Sequence, residues 1–305
     1  MIKINFYGVR GSIPQSGTEY IQFGGATSSI TIRTPMNTLL FLDAGTGIIT
    51  AQQELNTIAE DVYLFISHTH ADHIQGLGMT KLPWLSSLEN YKDKNVHLVG
   101  PKGIGNHLQK YYDGDVIWPV SFLPQEGPYM FGFDKEKITE YEEDNQEIQI
   151  DRVTTVRLLK GIHPVSSGVI LYKFIFTFKD RKYSIIYATD NEFDYIGKKI
   201  INPNKEEWIN RYIEFIYKSD ILIADAQYSN DDYTNYSGFG HSYHNQIIDI
   251  ACQAKIKHLY ITHHHNYDDR QLKEFEDRAI TYSKTKNSNL EVSFAKIGLE
   301  KILQI

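Results

Sequence analysis

The chain has 305 residues, 41% apolar and 23% charged, which is enough for a sizeable core and outside the composition of a disordered segment. Acidic side chains outnumber basic ones by 38 to 31, a formal net charge of −7, which gives no support to a protein gripping long nucleic acid through a basic face. A single cysteine, Cys252, excludes an intramolecular disulfide and a thiolate zinc cluster.

Residues 1–20 carry Lys3, Arg10 and Glu19 through a strand-like stretch with no apolar leader region. Nowhere do eighteen apolar residues run together, so a cytoplasmic protein without a membrane helix is expected. Ile2, Ile4 and Phe6 alternate with polar neighbours, as do Ile30 and Ile32, and both segments read as strands. Residues 38–42 and 62–66 are nearly continuous apolar runs, the pattern of strands buried on both faces. Glycine-marked turns separate them, and a helix is expected after Gly45, through Ala51 to Leu55.

Residues 84–150 carry the weakest pattern. A strand is expected at 96–99, a short helix at 104–111 and a loop at 119–133. Residues 134–147 hold seven acidic residues and two lysines, which reads as a solvated acidic face or loop. Strands are expected again at 153–159, 169–178, 183–188 and 221–224. Trp208, Ile209, Tyr212, Phe215 and Ile216 recur at helical spacing within 206–218, and a second helix is expected over 243–254. Cys252 lies on that helical pattern with Ile248 and Ala251, a core position. Strands are expected at 258–262 and 290–295. Two strand-rich halves, each finished by helices and joined by no Pro- or Ser-rich linker, predict a single domain over residues 1–305. Its expected architecture is α+β, two sheets packed together with helices outside.

The most informative residues are Ser67-His68-Thr69-His70-Ala71-Asp72-His73, directly after the buried run 62–66. His68 and His70 can face one ion, while Asp72 and His73 offer an oxygen and an imidazole to another. Four such side chains within six positions do not suit a core, where each needs a partner. His163, Asp190 and His263 each stand where another apolar run ends, which is where such scaffolds place sites.

This pattern resembles the metallo-β-lactamase superfamily, whose signature is H-x-H-x-D-H followed by a distant His, Asp and His. The resemblance spans essentially the whole chain and implies an αββα sandwich with the site at one edge of its sheets. It implies that His68, His70 and His163 hold one metal, that Asp72, His73 and His263 hold the other, and that Asp190 bridges them. The two divalent ions would be zinc, or manganese. Gly8-Val9-Arg10-Gly11-Ser12-Ile13-Pro14, Gly24-Gly25-Ala26-Thr27-Ser28-Ser29 and Leu42-Asp43-Ala44-Gly45-Thr46-Gly47 are similar to the phosphodiesterase and RNase Z branch. So are Asp225-Ala226-Gln227-Tyr228 and Gly240-His241-Ser242. The long Gly/Pro-rich arm with which RNase Z proteins grip tRNA has no counterpart here, and Ala26 and Ser29 depart from that branch's Asn-Thr-Ser-Cys.

Within that resemblance Asp72 orients the nucleophile, His241 delivers a proton to the leaving oxygen, and Asp225 fixes the His241 tautomer. Ser12, Thr27 and Ser28 are expected to offer donors to substrate. Tyr236, with Tyr228, Tyr233 and Phe239, is expected to stack on a base. His244, His264 and His265 are expected in supporting or solvent-facing positions. The leading expectation is a homodimeric phosphodiesterase for small cyclic nucleotides, resembling bacterial and phage enzymes of the anti-CBASS type. An RNase Z-like tRNA 3′-processing endonuclease and a non-catalytic metal-stabilised binding module remain open, and a lactam or thioester hydrolase would leave His241 and Asp225 unexplained.

Overall fold

Ile2, Ile4 and Phe6 point one way from strand β1 (Ile2–Gly8) and are fully buried, so the sequence alternation is a real face. Around it the computed structural model describes residues 1–57, 61–87, 95–122, 132–133, 135–165, 168–179, 181–197, 199–286 and 289–304. β1 pairs antiparallel with β2 (Ser29–Arg33), which pairs antiparallel with β3 (Leu39–Leu42). β4 (Asp61–Phe65), β5 (Asn95–Gly100) and β6 (Ile138–Glu140) then add in parallel.

The second half builds a matching sheet. β7 (Glu147–Asp151), β8 (Thr154–Gly161), β9 (Val169–Phe178) and β10 (Arg181–Ala188) run antiparallel in turn. β11 (Ile221–Asp225), β12 (His258–Thr262) and β13 (Glu291–Phe294) continue in parallel. The last strand, β14 (Glu300–Leu303), crosses back to the free edge of β1. Among the described residues each sheet has seven strands, in the orders β14-β1-β2-β3-β4-β5-β6 and β13-β12-β11-β10-β9-β8-β7.

Three apolar clusters define the layers. Ile4, Phe6, Ile32 and Phe65 meet Leu158, Phe174, Tyr187 and Ile223 between the sheets. Outside the first sheet, Leu39, Phe41 and Leu64 pack against α1 (Ile48–Ala51) and α3 (Ile104–Tyr111) through Ile48, Ile104 and Leu108. Outside the second sheet, Leu222, Ala224 and Leu259 are covered by α4 (Lys205–Ile216), α6 (His244–Gln253) and α7 (Asp269–Thr285). Two shorter helices, α2 (Ala71–Ile74) and α5 (Tyr233–Tyr236), lie at the strand ends. The layers are those of an αββα sandwich. Cys252 packs against the outer cluster, as its place in the helical pattern suggested.

Several expectations are corrected. The helix after Gly45 is shorter, giving way at Gln52 to a 3-10 turn. The acidic stretch 134–147 is not simply a solvated loop, because it holds β6 and the start of β7, and Asp144 pairs with Arg211. Residues 123–131 of the expected loop, and Asp134, lie outside the described residues. Helix α7 matches none of the elements expected from the sequence. Among the described residues no helix is long and apolar enough to cross a membrane.

Candidate metal centre

β4, β8, β10, β11 and β12 all end at one edge of the sandwich, so the residues that follow them converge there. His68, His70, Asp72 and His73 follow β4, His163 follows β8, Asp190 follows β10, Asp225 closes β11 and His263 follows β12. All but His70 are buried. Asp190 and His263 adopt left-handed backbone, φ 52° and 63°, a conformation that costs about 1–3 kcal/mol for such residues and persists where a site requires it.

Asp225 apart, these side chains form two groups with Asp190 between them. His70 Nδ1 lies 3.0 Å from both His68 Nε2 and His163 Nε2. His73 Nε2 lies 3.1 Å from His263 Nε2, and Asp72 Oδ2 is 3.3 and 3.1 Å from those two atoms. Asp190 stands between. Its Oδ1 is 3.7 and 3.8 Å from His68 and His163, and its Oδ2 is 3.2 and 3.3 Å from His73 and His263. One carboxylate therefore turns one oxygen to each group.

The inward nitrogens fit a metal better than one another. His163 Nδ1 faces the Gly240 carbonyl at 2.9 Å and must donate to it, which leaves a lone pair on the inward Nε2. The Ser67 hydroxyl donates to Asp43, so it accepts from His68 Nδ1, and again the inward Nε2 carries a lone pair. Burial holds the His68 imidazole well below its usual pKa and brings His163 down to about 3, which keeps both rings neutral. His70 Nδ1 has at most one proton to give to these two lone pairs at 3.0 Å, whereas one cation answers all three nitrogens, and about 3.3 Å is the ligand spacing of a tetrahedral zinc with bonds near 2.0–2.1 Å. Around His73 the balance reverses: burial opposes its charge, yet Asp190, Asp72 and Asp43 outweigh burial and push its pKa well up. A proton or a metal ion there answers the same excess of carboxylate.

Residues without an assigned role hold this set in place. Asp43, fully buried and at φ 58°, accepts from the Ser67 amide at 2.6 Å, the Ser67 hydroxyl at 2.7 Å and the Tyr187 hydroxyl at 2.6 Å. It also faces His73 Nδ1 at 2.7 Å, fixing the ring so that Nε2 points inward. Arg10 is fully buried and donates to the carbonyls of Gly24, His265 and Tyr267, tying the N-terminal loop to the segment after His263. Gly11 lies so close to that histidine that a Cβ would stand 2.3 Å from His263 Nδ1.

His241 and Asp225 meet as the resemblance implied, with His241 Nδ1 3.2 Å from Asp225 Oδ2. Burial disfavours the imidazolium, but Asp225, Asp190 and Asp72 outweigh it and raise the His241 pKa to about 9. Ser12 reaches the site through its backbone, its amide donating to Asp72 Oδ2 at 2.7 Å, while its hydroxyl accepts from Gln227. Thr27 and Ser28 do not fit the expected substrate contacts. Both are buried: the Thr27 hydroxyl accepts from the Thr46 amide, and the Ser28 carbonyl accepts from Gly45. Tyr233 is likewise turned inward, its hydroxyl near Glu192 and Asp194, and Tyr228 is buried. Tyr236 stacks on Tyr228 at 4.8 Å and meets Phe239, which is 59% exposed, edge-on at 6.4 Å. His264 is buried and donates to the Ala295 carbonyl, and His244 is buried beside Phe294, so both are supports.

No family model matches the chain. It is 26% identical over 278 residues to a ribonuclease Z of Thermoplasma acidophilum, covering 86% of each chain. It is 23% identical over 299 residues to a ribonuclease Z of Picrophilus torridus, covering 91% of each. Among solved structures, the metallo-β-lactamase fold protein YhfI from Bacillus subtilis aligns with a TM-score of 0.63 at 19% identity, covering 98% of each chain. The fold is thus the metallo-β-lactamase fold. The expectation of a small cyclic-nucleotide substrate is overturned, because the curated relatives are ribonucleases Z. They match along most of their length, and the acidic balance does not by itself exclude an RNA substrate. Net charge is a sum over the whole surface, and bound ions would supply local positive charge where a phosphate lands.

Proposed function

We propose that the protein is a metal-dependent phosphodiester hydrolase acting on RNA, of the tRNA 3′-processing kind. The observation that carries this reading is Asp190, one oxygen toward His68 and His163 and the other toward His73 and His263, with the His241–Asp225 pair beside it. The chelating set suits two zinc or manganese ions, held by His68, His70 and His163, by Asp72, His73 and His263, and jointly by Asp190. Bound there, the ions would supply Lewis acidity and lower the pKa of water.

The chain's own residues do the rest. Asp72, held by the Ser12 amide, orients the attacking water by accepting its hydrogen bond. Asp225 beside it favours the charged imidazole, and with Nδ1 committed to Asp225, His241 donates from Nε2 to the departing ribose oxygen. Without that proton a ribose alkoxide leaves poorly. Tyr236 and the exposed Phe239, two positions before His241, offer a stacking surface for an unpaired base next to the scissile phosphate. The test is incubation of precursor tRNA carrying a 3′ trailer, with and without chelator. Metal-dependent release of the trailer is expected, and turnover of small phosphodiesters without any cleavage of RNA would overturn the reading.

A further inference from the structure

Glu192 has no counterpart in the chemistry above, yet it is a fully buried carboxylate two residues beyond Asp190. Its Oε1 accepts from the Gly238 amide at 2.7 Å and the Tyr233 hydroxyl at 2.9 Å, and its Oε2 accepts from the Gly240 amide at 2.7 Å. Burying an unpaired carboxylate would cost several kcal/mol, so these donors are what its position requires. Both glycines are left-handed, φ 87° and 96°, which turns their amides toward the one side chain.

That short loop does two things at once. The Gly240 carbonyl accepts from His163 Nδ1, and the next residue is His241. The loop lies against the imidazole so closely that a Cβ on Gly240 would stand 2.2 Å from His163 Nδ1. From the other side, the Glu192 amide donates to the Ile162 carbonyl at 3.0 Å, and the Ser242 hydroxyl donates to the Asn191 carbonyl at 2.6 Å. Asn191 and Glu192 thus bolt the strand end that carries His163 to the loop that carries His241, and the two imidazole rings lie 5.2 Å apart.

We infer that Glu192 is a positioning residue that sets the metal-facing imidazole of His163 and the proton-donating imidazole of His241 together, through the amides of Gly238 and Gly240. The His241 half of this rests on its role as proton donor proposed above. The His163 half does not. Glu192→Gln tests it with little change of shape: an amide has one oxygen for two glycine N–H groups, so one of them meets an NH₂.

Two readouts separate the halves. Competition with a chromophoric chelator for zinc needs no substrate, so it stands apart from the RNA reading. Turnover is then compared between an oligoribonucleotide and bis(4-nitrophenyl) phosphate, whose nitrophenolate leaves without a proton. In Glu192→Gln one of the two zinc ions is expected to bind about 10-fold more weakly or worse. On the oligoribonucleotide kcat is expected to fall about 10–100-fold with KM held, and on the nitrophenyl diester distinctly less. Zinc binding as tight as wild type at both sites, or equal loss on the two substrates, would overturn the inference. If Glu192→Gln does not fold, Tyr233→Phe, which removes one Oε1 donor and leaves both amides, carries the same measurements. A smaller loss of the same pattern is then expected, and wild-type values for both zinc affinity and the ratio of the two substrates would overturn it.

Discussion

Side chains that bear the chemistry here are each governed by a partner at their back. His73 faces inward because Asp43 holds its Nδ1, and Asp43 is itself saturated by Ser67 and Tyr187. Asp43→Asn puts an NH₂ among these donors, and we expect metal affinity to fall about 10–100-fold, read by chelator competition, with little change in secondary structure by circular dichroism. His241→Ala is expected to leave metal content intact and to lower turnover of an RNA diester by about 10²–10⁴-fold. A diester with a nitrophenolate leaving group should lose far less, and equal losses would give His241 a phosphate-positioning role instead. The seven residues proposed as chelators stand out in the sequence because they are chemically dense and lie where apolar runs stop. Glu192 does not stand out, and Asp43 does so only as part of the Leu42–Gly47 motif, without its role. What a carboxylate holds leaves no local pattern when its partners lie 24 to 144 positions away for Asp43 and 41 to 48 for Glu192.

Elements divide in the same way. β3, β4, β11 and β12 were legible because they are buried on both faces and read as apolar runs. β6, β7 and β14 were missed because they are edge strands, half exposed and carrying charge, as edges must to avoid pairing with another chain. Helix α7 hid behind its charged positions, with Leu272 and Ala279 its buried apolar residues, although Asp268 and Gln271 form a capping box that marks its start. Asp268→Ala is expected to cost about 1 kcal/mol in urea unfolding.

Glu54 ties the 3-10 turn Gln52–Thr57 to two strands, accepting from Asn5 and Tyr7 on β1 and from Thr31 and Arg33 on β2. Burial pushes its carboxyl up, but these donors outweigh burial and hold the folded pKa below its usual value. A carboxyl lowered by folding stabilises the protein fully above its unfolded pKa, about 4.3, and loses that contribution as pH falls through the folded value. Glu54→Gln should therefore be less stable than wild type by about 1–3 kcal/mol at pH 7, with the gap closing below about pH 4 in unfolding curves. A gap independent of pH would refute the ionic origin.

For the whole molecule, the shared layer between the sheets keeps five strand ends in register, so residues from position 12 to position 263 reach one site. Ile196, Ile200 and Ile201 are exposed beside the Tyr195–Ile201 bridge, and Phe239 is exposed two positions before His241. Such side chains support a homodimer as a proposal. Light scattering at micromolar concentration is expected to give twice the chain mass, and the mass of one chain would reject it.

The sharing of one carboxylate between two ions is tested most directly by metal analysis of Asp190→Asn. Asparagine tolerates the left-handed φ of 52° that this position requires, so the change removes a coordinating oxygen without adding backbone strain. Wild-type protein reconstituted with zinc and desalted should carry two ions per chain, and Asp190→Asn should lose occupancy at both positions. Two ions per chain in the variant, held against chelator as tightly as in wild type, would contradict it.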